Sequence, residues 1–403
     1  MKILLFQIRY LCHKSNELFV DNLAEEFEKL GHEVTKCNII DSKDMESVLN
    51  ALVGLHFDAM IDFNSVLPST EMEEGGYFLD KIDAPFYNFI VDHPLFHHAH
   101  LKVPLKNYNV ICIDNNHYSY LKKYYPHIKN VLVHPLPPTK GMIDCAYKDR
   151  AIDVLYPVSY MPFKEAEKML LSGKIFGNHD ILNEKEMDWA KSLVDIMMDN
   201  PLLPIESAFE KVLEDDGFYM EGEEFRNTLF RLHLSDIYVR CYFREKMLDI
   251  LLKEGLKVTL CGKDWDLYYA PKGAKYEVYP DVSYTTAMQY MQNSKALVNV
   301  TPGFKAGLHD RASSGIINSC LVLSDESINK SKSAAYDFEK LRIDNPAVLW
   351  YKYDTDDMQR AATLLKQRLS NENSYYDYLA ANKEYMEQNL SWEILAISLA
   401  QSF

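Results

Sequence analysis

The sequence predicts an α/β protein built from two Rossmann-like halves, each a parallel sheet flanked by helices. Three observations lead to this fold class. Short apolar runs alternate with amphipathic helical segments along most of the chain. Polar residues stand where several of the apolar runs end, as at the functional edge of a doubly wound sheet. The proline-rich stretch at residues 135–138 divides the alternation into two parts.

Size and composition support two globular domains. A chain of 403 residues exceeds one ordinary core, and its hydrophobic share of 47% and charged share of 25% are typical of globular proteins. The formal net charge of -16 argues against a nucleic-acid partner, because phosphate recognition relies on clustered Lys and Arg. Seven dispersed cysteines without a C-x-x-C pair indicate reduced thiols. With neither a signal peptide nor a transmembrane segment recognised, the sequence predicts a cytoplasmic protein.

The first half, residues 1–138, opens as a Rossmann-like unit. A strand is predicted over residues 1–6, and a helix over residues 17–30 that stops at Gly31. The loop after this strand contains no G-x-G-x-x-G, so no dinucleotide site is predicted there. Further strands are predicted over residues 34–40, 59–63, 85–91, 109–113 and 130–134.

The second half covers residues 151–385 and contains a block of a different kind. Residues 163–253 have helical spacing throughout, with a last helix expected from about 221 to 252, and we interpret them as a helical insertion. Strands are predicted on either side of this block, over residues 152–156, 257–261, 276–279, 296–300, 320–323 and 347–351. The final segment, residues 386–403, includes an amphipathic helix that we expect to pack back toward the first half.

One strand, loop, helix and strand unit, residues 296–326, is the most informative stretch. Its apolar run at residues 296–300 ends in Thr301-Pro302-Gly303, and a helix is predicted to start near His309 and Asp310. Asp310 is expected to meet the unpaired N–H groups of the first helical turn. The loop of such a unit lies outside the carboxyl end of a strand, where doubly wound sheets bind ligands.

Residues in this loop have the chemistry of a diphosphate site. Gly303 and Gly307 permit close backbone approach, Lys305 lies between them, and Arg311 lies just inside the helix. A helix N-terminus with Arg or Lys stabilises the charge that develops on a departing diphosphate. The alternative is that Arg311 pairs with a nearby carboxylate such as Asp310 or Asp325.

A second candidate for phosphate binding follows the strand at residues 257–261. Gly262 allows backbone approach to a pyrophosphate and Lys263 can neutralise it, with an ordinary turn as the alternative. Asp264 and Asp266 have the spacing of a D-x-D metal motif, but we interpret them as part of a solvated loop. No metal is assigned.

In the first half, Asp92 and His93 follow the strand at residues 85–91. Either side chain can act as a base, or as a positioning group, toward the hydroxyl of a bound substrate. The alternative is that they cap the next helix. Four histidines within residues 93–100 suggest a metal site, but Pro94 disrupts the helical spacing it needs. Arg9 and Asn64, on neighbouring loops, are candidates for contacting the acceptor, the substrate that would carry this hydroxyl.

The chain also resembles a known family. Residues 296–326 resemble the donor-binding segment of group-1 glycosyltransferases, in particular the spore-maturation glycosyltransferase-like branch. A weaker resemblance extends from about residue 151 to the end of the chain. The matching residues are Asn299, Thr301, Pro302, His309, Arg311 and the strand at residues 320–323. The resemblance implies the GT-B fold, with two Rossmann-like domains facing a cleft, the acceptor on the N-terminal domain and a nucleotide-sugar on the C-terminal domain.

The same resemblance suggests how the donor is held. It places Tyr284 on the loop that contacts the base, with a core tyrosine as the alternative, and Ser313 and Ser314 near the ribose. Ser314 stands where the family has a carboxylate, and a serine hydrogen bond to ribose is weaker than one to a charged acceptor. Ser319 stands where the family has glycine. The small helix residues are also compatible with close packing alone.

The sequence therefore predicts a metal-independent glycosyltransferase without a resident cofactor, which moves a sugar from a nucleoside-diphosphate sugar, most simply a UDP-sugar. The predicted acceptor is a glycan, peptide or protein. Two alternatives remain. The first is a nucleotide-sugar epimerase on the same fold. The second is a non-catalytic protein that binds a sugar nucleotide or glycan, for which Ser314 is the main argument.

Overall fold

A computed structural model of the chain describes residues 1–8, 11–40, 44–143, 145–177, 179–300, 303–327 and 347–403. Its contacts divide the chain into two compact units. The first unit consists of Met1–Pro137, Ser283–Thr285 and Gln388–Phe403. The second consists of Pro138–Val282 and Thr286–Glu387, so the division falls inside the proline-rich stretch.

The first unit is built on a six-stranded sheet in which all neighbouring strands run parallel, in the order β2-β1-β3-β4-β5-β6. Strands β3, β4 and β5 are buried along their whole length, as expected for a parallel sheet covered on both faces. The strand order reverses between β1 and β3. The six strands are Lys2–Gln7 (β1), Glu33–Asn38 (β2), Ala59–Phe63 (β3), Phe86–Ile90 (β4), Tyr108–Cys112 (β5) and Asn130–Val133 (β6).

Within the described residues, four α-helices connect these strands. The longest, α1, follows β1 and buries one apolar face that includes Phe19 and Leu23. Asp114 caps α4 by accepting hydrogen bonds from the backbone N–H groups of Asn116 and His117, so β5 passes directly into a stable helix. The helices are Ser15–Lys29 (α1), Met45–Asn50 (α2), His98–Leu101 (α3) and Asn115–Tyr124 (α4).

The second unit contains another six-stranded parallel sheet, in the order β12-β11-β10-β7-β8-β9. Its strand order reverses between β10 and β7. In open α/β sheets the crevice at the carboxyl ends of the strands beside such a reversal is the usual ligand site. The strands are Ile152–Pro157 (β7), Val258–Cys261 (β8), Tyr276–Tyr279 (β9), Ser294–Asn299 (β10), Leu321–Asp325 (β11) and Val348–Tyr351 (β12).

In the described part of the segment between β7 and β8, the chain forms a block of five α-helices. The long last helix expected from the sequence is divided at His233, whose Nδ1 donates to the carbonyl of Phe230 while its own carbonyl accepts the N–H of Asp236 three residues on. This local tightening ends α8 and starts α9. The helices are Phe163–Leu171 (α5), Glu184–Asp199 (α6), Ile205–Asp215 (α7), Gly222–Leu232 (α8) and Leu234–Lys253 (α9).

The remaining helices follow β9. The last of them, α14, packs on α1 in the first unit, where Trp392 lies 5.8 Å from Phe19 between ring centroids. No helix in the described part of the chain is both long and apolar enough to cross a membrane. These helices are Tyr284–Gln292 (α10), Asp310–Ile317 (α11), Thr355–Ser370 (α12), Tyr376–Asn389 (α13) and Trp392–Ala400 (α14).

Candidate functional site

The carboxyl end of β10 holds Arg311 in one place. Asn299, the last residue of the strand, is only 2% exposed. Its Nδ2 donates to the Ser324 hydroxyl at 2.9 Å, and its Oδ1 accepts from Nη1 of Arg311 at 3.1 Å. Because Ser324 lies on the neighbouring strand β11, the amide of Asn299 is fixed in orientation. Arg311 is therefore anchored at the edge where the strand order reverses.

His309 rather than Asp310 caps helix α11. Its Nδ1 accepts from the backbone N–H of Arg311 at 3.1 Å and lies 2.7 Å from a carboxylate oxygen of Asp310. Asp310 lies one residue inside the helix, so the side chain of the preceding residue is better placed for the cap. Burial lowers the pKa of His309 below its usual value of 6.5. The Asp310 carboxylate opposes this shift, and the charge of Arg311 adds to it.

Two arginines of the helical block join Arg311. Arg240 and Arg244 lie one turn apart on α9. Nε of Arg244 donates to the carbonyl of Val300 at 3.2 Å, just beyond β10. A Cβ added to Gly303 would lie 2.9 Å from Nη2 of Arg240, so this guanidinium lies against the glycine backbone.

The three guanidinium groups act on one another. The pKa of Arg244 is lowered to about 10, first by burial and then by the charges of Arg240 and Arg311. Guanidinium groups this close repel one another, and an anion bound beside them would reduce that repulsion. Neither Arg240 nor Arg244 is among the residues predicted from the sequence. The sequence does show two arginines four residues apart on one face of a predicted helix. Nothing in the sequence indicates that this face lies beside β10.

Lys305, predicted to contact the diphosphate, is buried in an internal ion-pair network. It is 4% exposed, its Nζ donates to the carbonyl of Leu203 at 3.0 Å, and it lies 3.7 Å from Asp236. Asp236 also pairs with Arg240 at 2.7 Å. Burial lowers the pKa of Lys305. Because Lys305 and Arg240 both interact with the Asp236 carboxylate, Lys305 helps to position Arg240.

Gly262, Lys263 and Tyr284, which are also predicted to contact the donor, each have contacts within the protein. Gly262 has φ 142°, and a Cβ there would lie 2.4 Å from the carbonyl oxygen of Val158. The glycine thus allows two backbone segments of the sheet edge to approach each other. Lys263 is exposed and lies 3.9 Å from Asp281. Tyr284 contacts Phe19 within the first unit, with ring centroids 5.4 Å apart.

Both serines of α11 use their hydroxyl groups inside the protein. Ser314 is fully buried and accepts from the backbone N–H of Thr139 at 3.1 Å. Ser313 is also fully buried and donates to the carbonyl of Asp310 at 3.0 Å. Asn318 donates to the carbonyl of Thr139 at 2.9 Å, so α11 holds the first residues of the second unit in place. Thr301 and Pro302, predicted to contact the donor, lie outside the described residues.

In the first unit the structure brings two of the predicted residues together. Asn64 follows β3, and its Nδ2 donates to the Asp92 carboxylate beyond β4 at 2.7 Å. The Asp92 side chain is 55% exposed and lies 4.0 Å from Nε2 of His97. Arg9, the other acceptor-side candidate, lies outside the described residues.

His93 lies next to Asp92 but has a structural task of its own. Its Nδ1 accepts from the backbone N–H of Leu95 at 3.1 Å, which caps the short 3-10 helix Pro94–His97. Its ring packs against His117 and Tyr120, with centroid distances of 4.7 and 5.2 Å. Because Nδ1 is an acceptor, the proton of the neutral ring is on Nε2.

The other histidines of this segment have separate partners. His98 is 2.9 Å from the hydroxyl of Tyr125, and His100 is 2.6 Å from that of Ser69. Within the described ranges, no group of three or more His, Cys, Asp or Glu side chains is arranged to hold a metal ion.

Comparison with known proteins was informative only at the level of structure. No protein-family model and no curated protein matches the sequence. An alpha-glucosyltransferase solved in complex with UDP is 11% identical, with a TM-score of 0.57 over 97% of this chain and 96% of that chain. Two structures of alpha-glucosyltransferase with UDP and a 13-mer DNA containing a HMU base also match. They are 12% and 13% identical, cover 97% and 100% of this chain and 96% and 98% of those chains, and have TM-scores of 0.58 and 0.54.

These likenesses establish the fold. The chain has the GT-B architecture implied by the sequence resemblance, with two six-stranded parallel sheets of Rossmann-like type and a helical block in the second unit. Its narrower resemblance to the spore-maturation branch stays a prediction.

The expectation about partners was wrong. Net charge was used to argue against nucleic acid, yet two structures that share this fold over at least 97% of the chain were solved with DNA bound. The same structures overturn the preference for a glycan, peptide or protein acceptor. The physical reason is that net charge sums the whole surface, whereas phosphate and base contacts depend on local groups.

Proposed function

We propose that this chain is a glycosyltransferase that moves a sugar from a UDP-sugar to a hydroxyl group carried by a modified base in DNA. Its second unit binds the donor and its first unit activates the acceptor. The proposed donor and acceptor are suggested by the ligands in solved structures of this fold. These structures contain UDP, and two of them also contain a DNA with a HMU base. The residues of this chain supply the chemistry.

The arginine cluster is the observation that carries the proposal. Arg311, Arg240 and Arg244 gather at the carboxyl ends of the strands beside the reversal of the second sheet. As the bond between the sugar and the diphosphate breaks, negative charge develops on the departing UDP. Guanidinium groups already held in place stabilise that charge without reorganisation. They supply the positive charge that a metal ion provides in other enzymes, so we propose a metal-independent reaction.

Asp92 is the better candidate for the base in the first unit. In the transfer, the bond from the sugar C1 to the diphosphate oxygen breaks, and a bond from C1 to the acceptor oxygen forms. The proton of the acceptor hydroxyl must leave, and an exposed carboxylate can take it. His93 has Nδ1 occupied by the Leu95 N–H and its neutral-state proton on Nε2, so it is suited to donate a hydrogen bond rather than to accept a proton.

The proposal is tested by incubating the full-length protein with UDP-glucose, or another UDP-sugar labelled in the sugar, and a duplex containing a HMU base. The matched control is the same duplex with an unmodified base. We expect label in the HMU duplex and an equal amount of free UDP. A UDP-sugar whose sugar is altered without DNA would identify an epimerase, and binding of UDP without any turnover would identify a binding protein. Either result would overturn the proposal.

A further inference from the structure

Asn64 has a backbone conformation that residues other than glycine adopt rarely. Its φ is 47°, in the left-handed region, and the residue is only 4% exposed. Asparagine tolerates this region better than most residues, but the conformation is still strained relative to an extended strand end. Strained residues persist where their surroundings fix them, and they cluster at functional sites.

The position of Asn64 in the sheet is also informative. It directly follows β3, and the strand order of the first sheet reverses between β1 and β3. Ligands bind at the carboxyl ends of strands beside such a reversal.

The side chain of Asn64 joins the ends of two adjacent strands. Its Oδ1 accepts from the backbone N–H of Val91 at 2.9 Å, and its Nδ2 donates to Oδ2 of Asp92 at 2.7 Å. Its own backbone N–H donates to the carbonyl of Phe89 at 2.9 Å. The bond from Val91 sets the orientation of the amide. The amide in turn fixes one oxygen of a carboxylate that is otherwise more than half exposed.

We propose that Asn64 is a positioning residue for Asp92 and does not contact the acceptor itself. This inference rests on the proposed function, in which Asp92 is the base. An exposed aspartate would otherwise sample several rotamers. The amide of Asn64 selects one of them and leaves the second carboxylate oxygen for the acceptor hydroxyl. Pre-organised alignment of this kind accelerates a reaction without strengthening the binding of the donor.

The left-handed backbone provides a test that separates positioning from folding. Asn64→Gly removes the amide but suits φ 47°, so the strand end retains its conformation. We expect the kcat for transfer to HMU-containing DNA to fall roughly 10- to 100-fold, with an unchanged KM for the UDP-sugar. Both Asn64→Gly and Asn64→Ala lose the hydrogen bond from the Val91 N–H, so the thermal midpoint of Asn64→Gly should lie below that of the wild type and above that of Asn64→Ala, which also keeps the strain.

A double-mutant cycle then identifies the residue through which Asn64 acts. Asp92→Asn should remove most of the transfer, and adding Asn64→Gly to it should have little further effect. A full additional 10-fold loss in the double variant would overturn the inference, and so would a wild-type kcat in Asn64→Gly.

A crystallographic measurement tests the inference independently of turnover. The Asp92 carboxylate should occupy one rotamer in the wild type and several in Asn64→Gly. A single, unchanged rotamer in the variant would overturn the inference even if transfer is observed. If the wild type transfers no sugar, the proposed function fails, and the rotamer comparison still decides whether Asn64 positions Asp92.

Discussion

Arg311 is held by Asn299, whose buried amide oxygen accepts from the guanidinium at 3.1 Å while its NH2 group donates to Ser324 on the next strand. A neutral amide orients the arginine and, unlike a carboxylate, places no negative charge beside it. A carboxylate at position 299 would orient the same guanidinium but would neutralise it. The choice of side chain at the end of β10 therefore suits a site that must attract an anion.

Asn299→Asp tests this relationship, because it changes charge with almost no change of shape. We expect UDP to bind at least about 10-fold more weakly, since the new carboxylate competes with the diphosphate for Arg311. Isothermal titration calorimetry with UDP measures the effect. Ser324→Ala, which breaks the hydrogen bond between Asn299 and β11 but adds no charge, is the matched control and should weaken binding much less. Unchanged affinity in Asn299→Asp would exclude Arg311 from the UDP site.

Arg244→Met separates binding from stability. The buried guanidinium is repelled by Arg240 and Arg311, so removing its charge should leave the thermal midpoint unchanged or raise it. The same change should weaken UDP binding by roughly 10- to 100-fold, because a charge-assisted hydrogen bond to phosphate is lost. Arg360→Gln, at an exposed arginine that pairs with Asp357, should alter neither quantity. A variant with reduced stability and normal UDP affinity would assign Arg244 a structural role.

Sequence patterns predict one side of the proposed donor site and not the other, for a physical reason. Asn299 and Arg311 are separated by a short loop within one strand and helix unit, so local patterns were enough to place them together. Arg240 and Arg244 reach the same place through the tertiary packing of α9, which periodicity does not specify. Likewise, nothing in the sequence distinguishes Asn64 as left-handed, because that conformation depends on its contacts with Val91 and Asp92.

Stability should decrease in mild acid because of His309. Burial lowers its pKa below 6.5, so the unfolded chain binds a proton that the folded protein resists. The contribution is complete above pH 6.5 and is lost as the pH falls below that value. His309→Asn retains a capping side chain but cannot titrate, so denaturant unfolding between pH 7.5 and about 5 should show a shallower pH dependence. Burial also lowers the pKa of His134 and His233, so part of the dependence should remain.

Ser319→Gly should stabilise the protein. Ser319 has φ 59° and follows α11 in a Schellman motif, in which its N–H bonds the carbonyl of Ile316 and the next N–H bonds that of Gly315. Glycine adopts this conformation without strain, and we expect a gain of about 0.5–1 kcal/mol in the free energy of unfolding. Ser319→Ala retains the Cβ and should show no gain. Equal stability of the two variants would indicate that the backbone here is not strained.

Gly262→Ala distinguishes packing from phosphate binding at the end of β8. The new Cβ would lie 2.4 Å from the Val158 carbonyl oxygen and 2.9 Å from the Ser159 nitrogen, and neither backbone atom can move cheaply. We expect a loss of about 2–3 kcal/mol in the free energy of unfolding. Gly273→Ala is the matched control, because Gly273 also has a positive φ but no atom within 4 Å of an added Cβ, so it should lose less. The folded fraction of Gly262→Ala should bind UDP with wild-type affinity, because the glycine accommodates Val158. A stable variant that fails to bind UDP would instead assign Gly262 to the pyrophosphate.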